Sequence, residues 1–406
     1  MKTITQRPVF NGYPRPDGQV GARNQVGIIY TVDCARFVSE EIAKKIKNAT
    51  AFGWFNCYNM ANSEDANILI GLGRNPNIGA ALVVGLGCET NSPARVTEGI
   101  SKTGKDVQTL TIQGIGGTKK TIRKGTAIAK RMSKRIMKVK RKHHDISSLT
   151  LGMKCGGSDA TSALSANPIL GLTADRIVEN GGRVLSSELT ELTGCEHLIE
   201  RRASNEAIGK EATRLIRSAV SEFEARFGSE HSMMSPGNVY GGLTTIEEKS
   251  LGALMKTGHS QLQGVLQPGE YPKHAGWYLV DGLVAKSIRH FGLEADGEPT
   301  DFVAAGAQVI AFTTGRGSAD GNVISPTIKV CANPQTYRNM REDMDFNAGA
   351  VLEGKITMDE SSKLLLTKIL KVASGEGTKS EMLGHREGGM ILGGRPIASA
   401  ITQFCE

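Results

Sequence analysis

No stretch of this 406-residue sequence approaches the roughly 18 consecutive apolar residues that a membrane-spanning helix needs. The opening stretch MKTITQRPVFNGYPRP holds no apolar run long enough for a secretory leader. Aromatic residues make up only 5% of the chain, whereas glycine reaches 49 residues. That balance argues against an all-β sandwich and for many strand-to-helix turns. The 7 cysteines are odd in number and scattered, so a secreted disulfide framework is not expected, and their spacing matches no standard iron–sulfur run. The expectation is a cytoplasmic chain with reduced thiols.

One segment lacks acid altogether. Residues 119–144, KKTIRKGTAIAKRMSKRIMKVKRKHH, carry twelve Lys and Arg and no Asp or Glu. Without it the chain is net acidic, about −4, against +8 overall, so the basicity is local. No aromatic side chain interleaves with these charges, and the stacking platform of single-strand binders is therefore missing. The segment reads as a solvated helix face running into a linker; a non-catalytic anion- or RNA-binding α/β protein is the alternative.

A chain of this length implies two domains. VGIIYTVDC (26–34), ATAFGWFNCYN (49–59), AALVVGLGCETN (80–91) and VQTLTIQGIGG (107–117) read as strands. Helical patterns lie between them, and the basic helix follows. SSLTLGMKC (147–155) then restarts the pattern. The fold class expected is α/β, with two Rossmann-like lobes built on mostly parallel sheets, spanning 7–145 and 146–398.

Ligands of open α/β sheets bind beyond the carboxyl ends of the strands, and the polar stock of this sequence collects there. Three strands end near a thiol, at Cys34, Cys57 and Cys88, with Glu89 beside the last. KCGGSDATSALSANPILG (154–171) crowds Lys154, Cys155, Ser158, Asp159 and Asn167 after another strand. Glu188 and Glu191 follow RVLSS. In TTGRGSADGN, residues Thr313, Thr314 and Arg316 offer hydroxyls and a guanidinium to one carboxylate or sulfonate. This loop is not a nucleotide P-loop. IQGIGGTK lacks the acid expected about 20 residues further on, which counts against a nicotinamide-dependent oxidoreductase.

In order and spacing, GYPRPDGQVGARN, VVGLGCETN, KCGGSDATSALSANPILG, GNVYGGLTTIEEKSLGALMKTG, FTTGRGSADGNVISPTIKV and DFNAG resemble the altronate dehydratase and galactarate dehydratase family. That family includes the large subunit of sulfolactate sulfo-lyase. The resemblance runs from about residue 10 to residue 390. It implies a lyase, iron- or divalent-metal-dependent, that eliminates water or sulfite from a 2-hydroxy carboxylate and yields a 2-keto acid. Sugar-acid members begin with a small extra domain; the resemblance here starts at their second domain, so the expectation is a chain lacking that domain, as in the split arrangement with a separate small subunit. Those members also carry His-x-x-Gly-Cys where this chain has WFNCYNM (54–60); Cys57 remains and the His and Gly do not.

The chemistry implied needs a base for the proton alpha to the carboxylate, a stabiliser for the enediolate, and an acid or metal for the leaving group. Glu188 or Glu191 is the candidate base, Lys154 the rival, and Asp159 a further catalytic candidate. Arg23, Asn24 and Arg316, with Ser158, Asn167, Thr313 and Thr314, are the candidate substrate contacts. Cys34, Cys57, Cys88, Glu89 and Cys155 are the candidate ligands of Fe²⁺ or another divalent metal, a labile Fe–S cluster being the lesser alternative. A small anionic substrate and a homo-oligomer are expected, with neither membrane nor nucleic acid as partner.

Overall fold

The computed structural model describes residues 7–54, 64–90, 92–228, 233–282, 297–387 and 390–391. Cys57 falls outside them. In chain order the strands are β1 Val9–Pro14, β2 Val20–Gly21, β3 Gln25–Tyr30, β4 Ala49–Trp54, β5 Ile78–Gly85, β6 Asp106–Thr111, β7 Lys142–Asp145 and β8 Thr150–Cys155. They continue as β9 Arg183–Ser186, β10 Leu262–Leu266, β11 Gly276–Val280, β12 Val309–Thr314, β13 Thr327–Cys331, β14 Phe346–Asn347 and β15 Met390–Ile391.

Two parallel sheets carry the architecture. One has five strands in the order β15-β4-β3-β5-β6, the other seven in the order β10-β11-β9-β8-β12-β13-β14. Their central strands are apolar on both faces, as parallel strands covered by helices must be. β8 is buried along its whole length. A small antiparallel ribbon, β2-β1-β7, joins the two halves, with Val9 opposite Asp145 and Gly12 opposite Lys142. The chain returns at its far end, where β15 adds to β4 of the first sheet.

The sheets share buried side chains. Ile29, Phe52 and Val83 of the first pack in one cluster with Ile310 of the second and with Val303 and Ile324. Asn77 fixes them polar-side as well. Its Oδ1 accepts from the Ala22 and Arg23 N–H groups, and its Nδ2 donates to the Gln308 carbonyl. A buried amide satisfied on both sides makes this junction directional, which apolar contact alone does not.

The basic run folds as the helix Thr118–Ile136 and then β7. Thr121, Gly125, Ile128, Ala129, Met132 and Ile136 form its buried stripe, at the three-and-four spacing of an amphipathic helix. A Cβ at Gly125 would lie 2.4 Å from Ile42 Cδ1, so glycine there lets the helix close on Arg36–Ala43 without the Ile42 side chain having to shift. Lys119, Lys120, Lys124, Lys130, Arg131 and Lys134 are left on the outer face.

Several expected boundaries shift. The strand expected over 107–117 stops at Thr111, and Ile112–Ile115 is a helical turn ended by Gly116 at φ 86°. SSLTLGMKC starts as a short 3₁₀ turn because Asp145 accepts the Ser147 N–H, so the strand begins at Thr150. GNVYGG is largely the short helix Pro236–Tyr240, started by a capping box of Ser235 and Asn238. No helix among the described residues is long and apolar enough to cross a membrane.

Candidate active site

The seven-stranded sheet reverses direction of winding between β8 and β12, because the chain runs from β8 to β9 on one side and later places β12 on the other. This switch point leaves a crevice beyond the carboxyl ends of the strands. Lys154 and Cys155 end β8 there. β9 ends at Ser186, and two residues later Glu188 sits at φ 48°, the one non-glycine residue with positive φ among those described. A bulky residue held there costs on the order of 1–3 kcal/mol, so its surroundings must hold it.

They do so through its carboxylate. Oε1 accepts the Cys155 N–H at 2.9 Å, and Lys154 Nζ lies 3.8 Å from the same oxygen. Oε2 is in contact with Lys256 Nζ. Glu188 also opens the 3₁₀ turn Leu189–Leu192, which brings Glu191 back over the same site. Glu191 Oε1 pairs with Lys249 Nζ at 2.8 Å, and Oε2 accepts from Cys155 Sγ at 3.3 Å. Lys256 Nζ donates to Cys155 Sγ at 3.2 Å. Lys249 and Lys256 lie seven residues apart, on the helix Ile246–Leu254 and on the turn Met255–Thr257 that continues it. Two helical turns place them on one side. Thr245 caps that helix by accepting the Glu248 N–H.

The group is buried, Glu188 to 1% and Lys256 to 2% exposure, except for Glu191, which is half-buried. Burial, and then the charge of Glu188, pushes the Cys155 thiol well above its usual range. Burial would push Glu191 up as well. Lys249, Lys256 and Lys154 outweigh it and hold that carboxyl down at about 2. Burial opposes the charge on Lys249, yet Glu191 more than offsets it, so its ammonium is held above the usual range. For Lys256 burial is likewise overcome, here by Cys155, Glu188 and Glu191. Formally, three ammoniums face two carboxylates and one neutral thiol. Buried charge is tolerated where it is compensated, so the site has one surplus positive charge to offer an anionic group.

A cavity of about 250 Å³ opens onto these groups, with Lys154, Cys155, Glu191 and Lys249 on one wall and Phe312 and Asp320 on another. Lys329, fully buried, pairs with Asp320 at 3.0 Å and stands 4.0 Å from the Phe312 ring centre. Burial, only partly offset by Asp320, lowers its pKa.

The ligating atoms of Cys155, Glu188 and Glu191 lie within 4.8 Å of one another. A thiol with two carboxylates is a donor set suited to Fe²⁺ or Zn²⁺, so the residues fit a divalent metal by their chemistry. The cation that Cys155 and Glu188 share in this arrangement is the Lys256 ammonium.

The other predicted residues lie elsewhere. The Asp159 carboxylate accepts from the Thr161 N–H and from Asn333 Nδ2, which ties together the loop behind the cavity. Asn238 Nδ2 donates to the Ser158 carbonyl. Thr313 Oγ1 donates to Asn167 Oδ1, and Asn167 Nδ2 to the Gly252 carbonyl; this chain bridges β12 to the helix carrying Lys249. Thr314 Oγ1 accepts the Gly317 N–H, and Arg316 is exposed. Arg23 makes a two-pronged ion pair with Glu381 and donates to the carbonyls of Ala22, Val372 and Glu376. Asn24 is held between Arg15 and the Ile136 carbonyl. Cys34 and Cys88 are exposed, beyond β3 and β5 of the first sheet. The Glu89 carboxylate accepts from Thr31 Oγ1 and from the N–H groups of Leu86, Gly87 and Cys88.

Of the sequence candidates, Lys154, Cys155, Glu188 and Glu191 thus share one site. Lys249, Lys256, Phe312, Asp320 and Lys329 were not among them. The one usable signal was KSLGALMK: two lysines seven apart in an otherwise apolar helical segment, where a solvated helix would interpose further charges.

The family described as "D-galactarate/Altronate dehydratase, C-terminal" matches residues 146–394. "D-galactarate dehydratase/Altronate hydrolase, second domain" matches residues 12–137. The subunit beta of (2R)-sulfolactate sulfo-lyase from Chromohalobacter salexigens is 35% identical over 384 residues, covering 93% of this chain and 96% of that protein. An altronate dehydratase from Bacillus subtilis is 31% identical, covering 93% and 76% respectively. The L-threo-forming galactarate dehydratase of Escherichia coli is 32% identical, covering 90% and 73%. Two family profiles laid end to end along the chain, with relatives aligned over nine-tenths of it, lead to one conclusion: the protein belongs to the D-galactarate/altronate dehydratase family.

Proposed function

We propose that this protein is a cytoplasmic lyase that eliminates water or sulfite from a small 2-hydroxy carboxylate, of the altronate, galactarate or sulfolactate kind, and releases a 2-keto acid. In this reading its two sheets form two Rossmann-like lobes, with the chemistry on the second. One observation carries the reading: a buried site with two carboxylates, a thiol and three lysines, positive by one charge, at the switch point of a parallel sheet. The relative named as a subunit beta supports a separate small chain as partner.

Lys154 and Lys249 face the cavity and take the substrate carboxylate. Glu191 is the base. While paired with Lys249 its carboxyl is held too low to draw a proton from carbon. When the substrate carboxylate shares Lys249, burial is less fully offset and the Glu191 pKa climbs towards the working range of a general base. The alpha proton passes to Glu191 Oε, and its electron pair becomes the enediolate facing the ammoniums. The bond from the neighbouring carbon to oxygen or sulfur then breaks, and the pair leaves with hydroxide, protonated to water, or with sulfite. The enol tautomerises to the keto acid. Glu188 has both carboxylate oxygens engaged and orients the Cys155 N–H and Lys256 instead. A ferrous or other divalent ion, held through Cys155 and Glu188, would supply Lewis-acid polarisation of the substrate oxygens.

The test is turnover of sulfolactate, altronate and galactarate in parallel by the reduced protein under anaerobic conditions with ferrous iron, with and without the candidate small chain. Release of sulfite or a 2-keto-3-deoxy acid is expected. Glu191→Gln should lower kcat by about 10²–10⁴; undiminished kcat in that variant would remove Glu191 from the reaction.

A further inference from the structure

The turn that carries Lys256 is fixed from three directions. A Cβ on Gly171 would stand 2.1 Å from the Met255 carbonyl oxygen, so the helix Ala166–Glu179 lies directly against this turn. Arg202 donates to both Thr257 Oγ1 and the Thr257 carbonyl, and Thr257 Oγ1 donates to the Leu254 carbonyl. The ammonium is therefore delivered by a rigid stem into a site where Cys155 Sγ at 3.2 Å and Glu188 Oε2 are its partners. Those two atoms, with Glu191, are the ones whose mutual approach within 4.8 Å makes a cation site. Two cations cannot occupy one such position in a buried site, because their repulsion is poorly screened there.

We propose that Lys256 is a built-in counter-cation that competes with a divalent metal for Cys155 and Glu188, so that metal binding and the Lys256 ion pair exclude one another. The tethered ammonium keeps the site assembled in the absence of metal: it compensates Glu188, and through Glu188 it holds the left-handed turn at φ 48°. A metal must displace it, and its apparent affinity is reduced by that exchange. The inference rests on the geometry of the site and not on the reaction assigned to it, so a metal-binding result and a turnover result fail separately.

The probe is Co²⁺, read by the thiolate-to-cobalt absorption band under reducing conditions, with no substrate present. The wild type should show little of this band at one equivalent of cobalt. Lys256→Met, which keeps the volume and removes the charge, should bind cobalt at least about tenfold more tightly and show the band; adding Cys155→Ser should abolish it. Lys256→Gln provides the same test should the methionine variant not fold. A full band in the wild type at one equivalent, lost with Cys155→Ser, would overturn the proposal. So would an unchanged or weaker cobalt affinity in folded Lys256→Met or Lys256→Gln.

Discussion

Replacing Lys249 by Met leaves a buried carboxylate without its nearest counter-charge. Glu191 is held at about 2 against an ordinary value of 4.5, a difference worth about 3 kcal/mol at neutral pH. Removing one partner of a buried pair costs a similar amount, about 3–5 kcal/mol. Because Lys256 and Lys154 also hold Glu191 down, Lys249→Met should lose at most about 3 kcal/mol at pH 7, and Glu191→Gln in the same background should recover most of it. A carboxylate whose folded value lies below its unfolded value stabilises the fold above the unfolded value. That contribution fades as the pH falls from about 4.5 through about 2. The wild type should lose about 3 kcal/mol across that window that the Glu191→Gln variant does not lose. The assay is urea unfolding of the two single variants and the double variant, read by Trp277, which sits on β11 of the sheet that bears the site. A Trp54→Phe background removes the other tryptophan, and the pH series compares wild type with Glu191→Gln. Additivity of the two single effects within about 0.5 kcal/mol would refute the pairing as the source of the shift.

Arg23→Met should destabilise the fold by about 3–5 kcal/mol, because its guanidinium is committed to Glu381 and to three carbonyls; KM should stay within about twofold, and a larger rise in KM with unchanged stability would return Arg23 to the substrate. Native-state alkylation at pH 8 followed by mass mapping should modify the exposed Cys34 and Cys88 and spare Cys155, Cys195 and Cys331, which burial both covers and pushes up; rapid labelling of Cys155 would show that the cavity wall opens. Trp277→Ala should cost about 3–5 kcal/mol, since the indole is fully buried and its N–H donates to Ser186 Oγ at 2.7 Å; a loss under about 1 kcal/mol would mean that the sheet re-packs around the gap.

The local signals carried much of the architecture. Apolar runs ending in polar loops marked the parallel strands, and the acid-free basic run marked a helix with one wet face, because both follow from period and burial alone. Glu188 and Glu191 stood out as carboxylates just past a strand end. What the chain order could not say was which polar residues would spend their hydrogen bonds on the fold. Arg23, Asn24, Asn167 and Asp159 look like ligands in the sequence, yet in the structure they hold carbonyls, N–H groups and each other. Nor could it say that Lys249 and Lys256, about sixty residues beyond the glutamates, would be the cations that neutralise them. Charge type and strand ends are written in the sequence. The pairing of buried charges is decided by which helix packs over which strand end, and that long-range choice belongs to the tertiary structure.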